Sequence, residues 1–342
     1  MTNTFSTTDT DIVLTGDRAT GPLHLGHFVG SLKQRVQLQA NHDQTILVAD
    51  MQGLTDNAFT SEKVSSNILN VVADYLAVGI DPSLTTICLQ SHIPALAELT
   101  MYYSNVVSIA RLERNPTVKS EITNKNFQRS IPAGFLTYPI SQAADITAFN
   151  ATLVPVGDDQ LPMLEQTNEI VKKINTIAQA PILRSCHALL SDYPRLPSTD
   201  GKNKMSKSMG NTINLHASEK DIRLAVQSMY TDPNHLKVED PGSIEGNVVF
   251  TYLTAFHSDQ DYVDQLKQQY QKGGLGDGQT KKILEECLQE IIKPIRDKRQ
   301  LYLDDKAELI RLLKEGNQKA NATANTTVQR VRASFGLNIL EY

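Results

Sequence analysis

The stretch that decides the fold runs from the apolar Ile12-Val-Leu-Thr15 through a turn, Gly16 to Pro22, into His24-Leu-Gly-His27 and a helical segment ending at Gln39. A strand, a turn rich in glycine and proline, and a helix N-terminus thus follow one another directly. This order gathers backbone N–H groups and the positive end of a helix dipole around an anion. The two histidines are three residues apart, so we expect their ring donors to point to the same place. The stretch predicts an anion-binding turn.

Strands and helices alternate through the first two thirds of the chain. Short apolar runs predict buried parallel strands at Ile46–Ala49, Thr85–Gln90 and Val154–Val156. Between them, Asn67–Val78 and Pro162–Lys173 have the apolar spacing of amphipathic helices. This alternation predicts an α/β fold with a Rossmann-like, doubly wound parallel sheet that binds ligands at the carboxyl ends of its strands.

The chain divides into three predicted segments. Residues 1–11 form a disordered or extended N-terminus, and residues 12–217 form the Rossmann-type catalytic domain, with an insertion at 92–137 that holds a helix at Ala95–Leu112. Strand signals fade after Asn211, and residues 218–342 form an all-helical domain. Its predicted helices are Asp221–Tyr230, Val248–Phe256, Tyr262–Gln271 and Thr280–Leu303, and we expect Pro294 to bend or split the last one.

The composition limits the class of protein. A chain of 342 residues with 40% apolar content can bury a large core, and its net charge of −5 excludes a global basic field. Three scattered cysteines argue for a reducing, cytoplasmic location and against a disulfide framework or a cysteine zinc site. No segment approaches the ~20 apolar residues that span a bilayer. We therefore expect no membrane partner and no metal held by protein ligands.

A second string, Lys204-Met-Ser-Lys-Ser208, is framed by Gly201 and Gly210. Two lysines on a predicted loop suit a triphosphate whose charge shifts toward the leaving pyrophosphate. Either string alone is weak evidence, because other nucleotidylyltransferases carry an HxGH string and lysine-rich loops are common. Together, in this order, His24–His27 and Lys204–Ser208 resemble the class I aminoacyl-tRNA synthetases.

Finer features resemble the tryptophanyl-tRNA synthetase family more than its tyrosyl relatives, and the resemblance covers nearly the whole chain. The blocks that carry it occur in the family's order. They are Thr15–Gly21 leading into His24; Gly79–Ser83 followed by Leu89–Pro94; Tyr138–Ile146; Val154–Gln160; and Tyr230–Asn234 followed by Glu239–Gly242 and Glu245–Asn247.

The resemblance implies ATP-dependent activation of L-tryptophan to tryptophanyl-adenylate and its transfer to tRNA(Trp). ATP would enter with Mg²⁺ as a substrate complex, and catalysis would be positioning and charge stabilisation without a protein nucleophile. The implied catalytic residues are His24, His27, Lys204 and Lys207. The implied ATP contacts are Gly16, Arg18, His24, Gly26, His27, Gly157, Asp159, Lys204, Met205, Ser206, Lys207 and Ser208.

The implied tryptophan pocket consists of Tyr138, Gln142, Asp145 and Gln160. An indole has one N–H donor and no acceptor, so a carboxylate at Asp145 would select it. Tyr138 and Gln160 would take the ammonium and carboxylate end of the amino acid. Tyr138, Gln142 and Asp145 have the spacing of one helix face, on a helix expected to start near Tyr138.

The resemblance also implies a homodimer, formed through residues 92–137, and a helical half that binds the tRNA anticodon. Basic residues of that half are candidate tRNA contacts by charge. They are Lys281, Lys282, Lys293, Arg296, Lys298 and Arg299.

Three alternatives stay open at this point. A tyrosyl-tRNA synthetase is one, because Gln142 stands where many tryptophanyl enzymes carry Met and tyrosyl enzymes carry Gln. Another adenylate-forming ligase with an HxGH string is the second, although it would not need the residues beyond about 217. A non-catalytic binder derived from a synthetase is the third. In the basic loop, Lys119 and Glu121 compete for the position of an ATP-contacting lysine.

Overall fold

A parallel sheet forms the centre of the structure, a computed structural model that describes residues 11–125, 127, 130–191, 196–201 and 212–339. In the described residues the sheet has the order β3-β2-β1-β4-β5, with all neighbours parallel. The predicted doubly wound sheet is confirmed, although β5 was not predicted. The strands are β1 Ile12–Asp17, β2 Asp43–Val48, β3 Thr85–Leu89, β4 Leu153–Val156 and β5 His187–Leu190.

Helices connect these strands, as predicted. The single helix predicted at Ala95–Leu112 is two helices in the structure. The first ends at Ser104, and Ser108 caps the start of the second by accepting a hydrogen bond from the Arg111 N–H. The helices are α1 Leu25–His27, which continues through a π-helical turn, Phe28–Leu32, into α2 Lys33–Leu38; α3 Asp50–Gly53; α4 Glu62–Ser65; α5 Ile68–Val78; α6 Pro94–Ser104; α7 Ile109–Glu113; α8 Pro116–Lys125; α9 Ala133–Ala148; and α10 Leu161–Ala178.

After the sheet the described chain is helical. Pro294 lies inside α14 without dividing it, so the helix continues past the missing N–H. The helices are α11 Glu219–Gln227, α12 Val248–Phe256, α13 Gln260–Lys272, α14 Asp277–Asp304 and α15 Lys306–Ser334. In the described part of the chain, no helix combines the length and the apolar character needed to cross a membrane.

Two apolar cores lie on the two faces of the sheet. Along β2, Ile46 and Val48 join one core while Leu47 joins the other, as the twofold period of a strand requires. The first core contains α5 and α14 and the second contains α6, α9 and α10. Helices therefore cover both faces, which leaves the carboxyl ends of the strands as the place where ligands can reach the sheet.

The last helix, α15, covers the edge of the sheet at β3. The Leu89 N–H at this edge donates to Asn317 Oδ1 at 2.7 Å, and Thr327 donates to the Ala148 carbonyl at 3.0 Å. Gly316 makes the close approach, because a Cβ built there would lie 1.8 Å from the Ile87 carbonyl oxygen. An edge strand otherwise leaves its N–H and C=O groups unpaired. The C-terminal helix is therefore part of the sheet's own packing.

We expect Gly316→Ala to lower the free energy of unfolding by about 1–3 kcal/mol, the usual cost of inserting a methyl group into a filled space. Thermal or urea unfolding measures it. Gly278→Ala, in the first turn of α14, is the matched control because its Cβ would meet nothing within 4 Å. The control should be neutral or stabilising by up to about 1 kcal/mol. Equal effects at both positions would contradict the close approach of α15 to β3.

Candidate active site

The carboxyl ends of β1 and β4 bring the predicted ATP contacts that the structure describes to one edge of the sheet. β1 ends at Asp17, directly before Arg18, and β4 ends at Val156, directly before Gly157, which leads into the 3₁₀ turn Asp158–Gln160. β1 lies between β2 and β4, so the strand order reverses there and opens a crevice above the sheet. α9, which carries Tyr138, Gln142 and Asp145, borders the same crevice.

The HxGH turn is an N-terminal cap built from its own histidines. The Gly26 N–H donates to His24 Nδ1 at 3.1 Å, and the His24 N–H donates to His27 Nδ1 at 3.2 Å. Because Nδ1 of each ring accepts a hydrogen bond, the neutral rings carry their protons on Nε2. The ring centroids are 3.9 Å apart. The turn thus presents two neighbouring Nε2–H donors at the start of a helix, an arrangement suited to an anion.

A second segment runs antiparallel to this turn. The Leu25 N–H donates to the Ile213 carbonyl at 2.9 Å, and the Leu215 N–H donates to the Leu23 carbonyl at 3.0 Å. This segment follows the predicted lysine loop in the chain. Lys204, Met205, Ser206, Lys207 and Ser208 themselves lie outside the described residues. The pairing places the chain that leaves the loop directly beside His24.

Gly16, a predicted ATP contact, and its neighbour Asp17 are both under structural constraints. A Cβ at Gly16 would lie 2.3 Å from the Leu47 carbonyl oxygen, so the position also needs glycine for strand packing. Asp17 accepts hydrogen bonds from Arg35 at 2.6 Å and from Tyr75 at 2.8 Å. Burial alone would raise the pKa of Asp17, but the charge of Arg35 and the hydrogen bonds from Arg35 and Tyr75 hold it well below its usual range. Asp17 is therefore a charged structural anchor behind the turn.

Asp145 is a buried carboxyl group at the border of the crevice. It is 5% exposed. Both of its oxygens accept hydrogen bonds from Gln90 Nε2, at 3.0 and 2.9 Å, and Oδ2 also accepts one from Gln52 Nε2 at 2.8 Å. Burial raises the pKa of Asp145 to about 8, against the opposing effect of the Gln90 hydrogen bond. A donor brought by a ligand would shift this carboxyl toward its charged form.

Gln52 and Gln90 were missed in the sequence. The Gln90 amide has a defined orientation, because its Oε1 accepts the Gln52 N–H at 3.0 Å and its NH₂ group must then face Asp145. Both glutamines follow the ends of neighbouring strands, β2 and β3. That position was the available signal, since carboxyl ends of parallel strands meet at one edge. Neutral amides have no other feature that marks them in a sequence.

The other predicted pocket residues lie along α9 and after β4. α9 begins at Ala133, earlier than the expected start near Tyr138, and Pro139 lies inside it. Gln142 Nε2 donates to Gln160 Oε1 at 3.4 Å, which joins the two elements. Burial and the neighbouring Glu121 raise the pKa of Tyr138, so its hydroxyl stays protonated.

Two predicted ATP contacts beside this pocket, Arg18 and Asp159, each have a polar partner within the protein. Arg18 NH1 lies 3.7 Å from Asp56 Oδ1, and the Asp159 carbonyl accepts a hydrogen bond from Thr117 at 2.6 Å. Lys119 is exposed on α8, whereas Glu121 faces Tyr138. Glu121 is thus the nearer of the two competing residues to the crevice. The chemical role of every predicted site residue stays a prediction.

Comparison with known proteins supports the family resemblance found in the sequence. The family model for tRNA synthetases class I (W and Y) matches residues 7–293. A tryptophan–tRNA ligase of Clostridium longisporum is 55% identical over 331 residues, which cover 96% of this chain and 97% of that protein. A tryptophan–tRNA ligase of Streptococcus pyogenes serotype M3 is 53% identical over 334 residues, covering 96% of this chain and 98% of the relative.

Among solved structures, the tryptophanyl-tRNA synthetase of Campylobacter jejuni complexed with ADP and tryptophan is similar, with a TM-score of 0.82 and 32% identity. The match covers 95% of this chain and 99% of that one.

The raised pKa of Asp145 predicts a pH dependence of stability. The ordinary pKa of this group is 3.8 and its pKa in the folded state is about 8. At a pH between these two values, the folded state keeps a proton that the unfolded state has lost. The stability contributed by this group is complete below the unfolded value and is lost as the pH rises toward 8, by up to about 1.4 kcal/mol per pH unit. We expect wild type to lose stability relative to Asp145→Asn over this range.

Thermal unfolding of both proteins at several pH values measures this difference. Asp81→Asn is the control of opposite sign, because hydrogen bonds from Ser83 lower the pKa of this exposed carboxyl. Its contribution is present above the unfolded pKa and is lost as the pH falls. Parallel curves for wild type and Asp145→Asn would contradict the buried, uncharged state of Asp145.

Proposed function

The chain belongs to the class I tRNA synthetases for tryptophan and tyrosine, and on that basis we propose that it activates L-tryptophan with ATP and transfers the tryptophanyl group to tRNA(Trp). One observation carries the choice of amino acid. Relatives at 55% and 53% identity, matched over nearly their whole length, are both tryptophan–tRNA ligases. The tyrosyl alternative is therefore not favoured. Nor is the smaller ligase, since these matches run through the helical half.

The reaction needs positioning more than protein chemistry. In the proposed step the tryptophan carboxylate attacks the α-phosphorus of ATP in line, a C–O–P linkage forms and pyrophosphate leaves with its electron pair. His24 and His27 would donate from Nε2 to the phosphate oxygens, because their Nδ1 atoms hold the turn together. Each such donor aimed at developing charge is worth about 10²–10³ in rate. Lys204 and Lys207 would follow the pyrophosphate.

Selection of the amino acid would occur at Asp145. An indole N–H can donate to a carboxylate that Gln90 already orients, and the bond favours the charged form. Phenylalanine would leave the buried group without this partner. Sites of this kind reject an analogue that lacks the donor by about 10⁴–10⁵-fold. Tyr138 and Gln160 would bind the ammonium and carboxylate groups at the other end.

Mg²⁺ would enter as part of the ATP substrate. Triphosphate oxygens and water supply the ligands that this ion prefers. In the ranges that the structure describes, no three His, Cys, Asp or Glu side chains cluster in a way that could hold a metal. The contribution proposed for the described residues His24, His27 and Arg18 is to orient the phosphates.

The domain assignment and the assembly belong to the same proposal. Residues 12–217 would catalyse activation, residues 218–342 would bind the anticodon of tRNA(Trp), and the protein would act in the cytoplasm as a homodimer. Residues 92–137 would form the dimer contact. Support comes from Met101 on α6 and Ile109 on α7, which are 67% and 65% exposed despite being large apolar side chains.

We expect amino-acid-dependent ATP–pyrophosphate exchange with tryptophan, and only background exchange with tyrosine. Purified protein is tested with both amino acids in parallel, with a reaction without amino acid as the control. Exchange with tyrosine alone would make Gln142 the better guide to the substrate. Silence with both amino acids, from folded protein, would contradict the synthetase function.

We expect Asp145→Ala to lower kcat/KM for tryptophan in the exchange reaction by about 10²-fold or more, because the pocket loses the acceptor for the indole. ATP binding, measured separately by equilibrium dialysis, should be retained. Gln142→Met, on the same face of α9, is the matched control and should keep tryptophan as the substrate. Equal loss of ATP binding and tryptophan activation in Asp145→Ala would mean that Asp145 supports the fold instead.

A further inference from the structure

A buried ion pair joins the helical half of the chain to the sheet half. Asp74, on α5, has no exposed surface, and its Oδ1 accepts a hydrogen bond from Arg299 Nε at 2.5 Å. Arg299, on α14, is 8% exposed and also donates to Asn70 Oδ1 at 2.8 Å. Its burial contradicts the prediction, made from charge, that Arg299 contacts tRNA. Its partner is a carboxylate inside the protein.

The second oxygen of Asp74 holds the HxGH turn. The Leu23 N–H donates to Asp74 Oδ2 at 2.9 Å, in a buried position. Leu23 immediately precedes His24, and its carbonyl accepts the Leu215 N–H on the opposite edge. The backbone before His24 is thus fixed between α5 on one side and the segment that leaves the lysine loop on the other.

The same turn of α14 also supports that second segment. Arg296 NH1 donates to the Ala217 carbonyl at 2.6 Å. Arg296 and Arg299 are three residues apart and therefore lie on one face of the helix. The HxGH turn therefore has two supports, Asp74 and the 213–217 segment. One face of α14 binds both of them, Asp74 through Arg299 and the segment through Arg296.

Stability alone is a poor explanation for this pair. Buried ion pairs can be replaced by apolar side chains of similar size with little or no loss of stability. Leucine and methionine could fill the space of Asp74 and Arg299, but neither would accept a hydrogen bond from Leu23. What the pair supplies beyond packing is an acceptor at a defined place beside the turn.

We propose that Asp74 and Arg299 are positioning residues for the ATP-dependent step, in which α14 holds the Asp74 carboxylate and Asp74 sets the position of the backbone that carries His24. The proposal rests on the proposed role of His24 and His27 at the ATP phosphates. Neither Asp74 nor Arg299 is placed in contact with substrate. Their effect is on the location of the two Nε2–H donors, and a displacement of about 1 Å can cost up to about 10²-fold in rate.

The test is a double substitution, Asp74→Leu with Arg299→Met, assayed by ATP–pyrophosphate exchange. We expect a Tm close to wild type, a KM for ATP raised about tenfold or more through the displaced donors, and an unchanged KM for tryptophan. The control is Arg223→Met with Glu285→Leu, which removes an exposed ion pair that joins α11 to the same helix α14. The control should leave both KM values at wild-type levels.

Asp74→Asn is the second variant, for the case in which the double variant does not fold. Its single carbonyl oxygen can serve Leu23 or Arg299 but not both, so we expect an intermediate rise in the KM for ATP. The proposal is overturned if a folded variant keeps the wild-type KM for ATP, or if the KM values for ATP and tryptophan rise together. Absence of exchange in wild type would overturn the proposed function instead, which keeps the two failures distinct.

Discussion

The backbone from Leu23 to Leu25 is hydrogen-bonded on both of its edges, and the relation between the two halves of the chain follows from that constraint. On one edge the Leu23 N–H needs a hydrogen-bond acceptor, and the Asp74 carboxylate supplies it. A carboxylate with no exposed surface needs a cation, and Arg299 of α14 reaches it. α14 therefore packs across α5, and α15 returns to cover β3. The helical half of the chain thus helps to hold the HxGH turn in place.

Three buried or nearly buried carboxyl groups show how structure and function separate in this molecule. Asp17 is paired with Arg35, and Asp74 is paired with Arg299. Asp145 instead accepts hydrogen bonds from the neutral amides of Gln52 and Gln90, and burial raises its pKa. The first two have their charges balanced within the protein. Asp145 retains the capacity to gain from a further donor, which is the property expected of a binding group.

The sequence predicted the parts of the fold that have strong local patterns. The first four strands and α5, α10 and α12 lie where the apolar patterns placed them, because buried strands and amphipathic helices have characteristic spacing. β5 was missed because His187–Leu190 is a short run with little apolar contrast. α15 was not predicted individually, since the small residues Gly316, Ala320 and Ala324 interrupt the apolar pattern of its buried face. Its contact with β3 joins positions that no local pattern relates.

Long-range partners explain the remaining differences at the site. Charge suggested Arg299 as a tRNA contact, but its partner Asp74 is 225 positions away and cannot be recognised from sequence spacing. Gln52 and Gln90 were missed for a related reason, because an amide acquires a function only from the carboxyl group it faces. The HxGH turn was predictable as an anion site. The use of its Nδ1 atoms for capping, which assigns the donors to Nε2, required the structure.

The positions of Gln142 and Asp145 along α9 bear on the choice between tryptophan and tyrosine as the substrate. Gln142 is half-buried and contacts Gln160, which in the proposed orientation meets the end that all amino acids share. Asp145 lies one turn farther along α9 and is 5% exposed. In the proposed orientation it meets the side-chain ring. A residue at the shared end can affect affinity for any amino acid, but it has little means of distinguishing one ring from another. In the proposed orientation the buried carboxyl is the group placed to respond to the ring, because an unmatched donor or acceptor there is left without water to replace its partner.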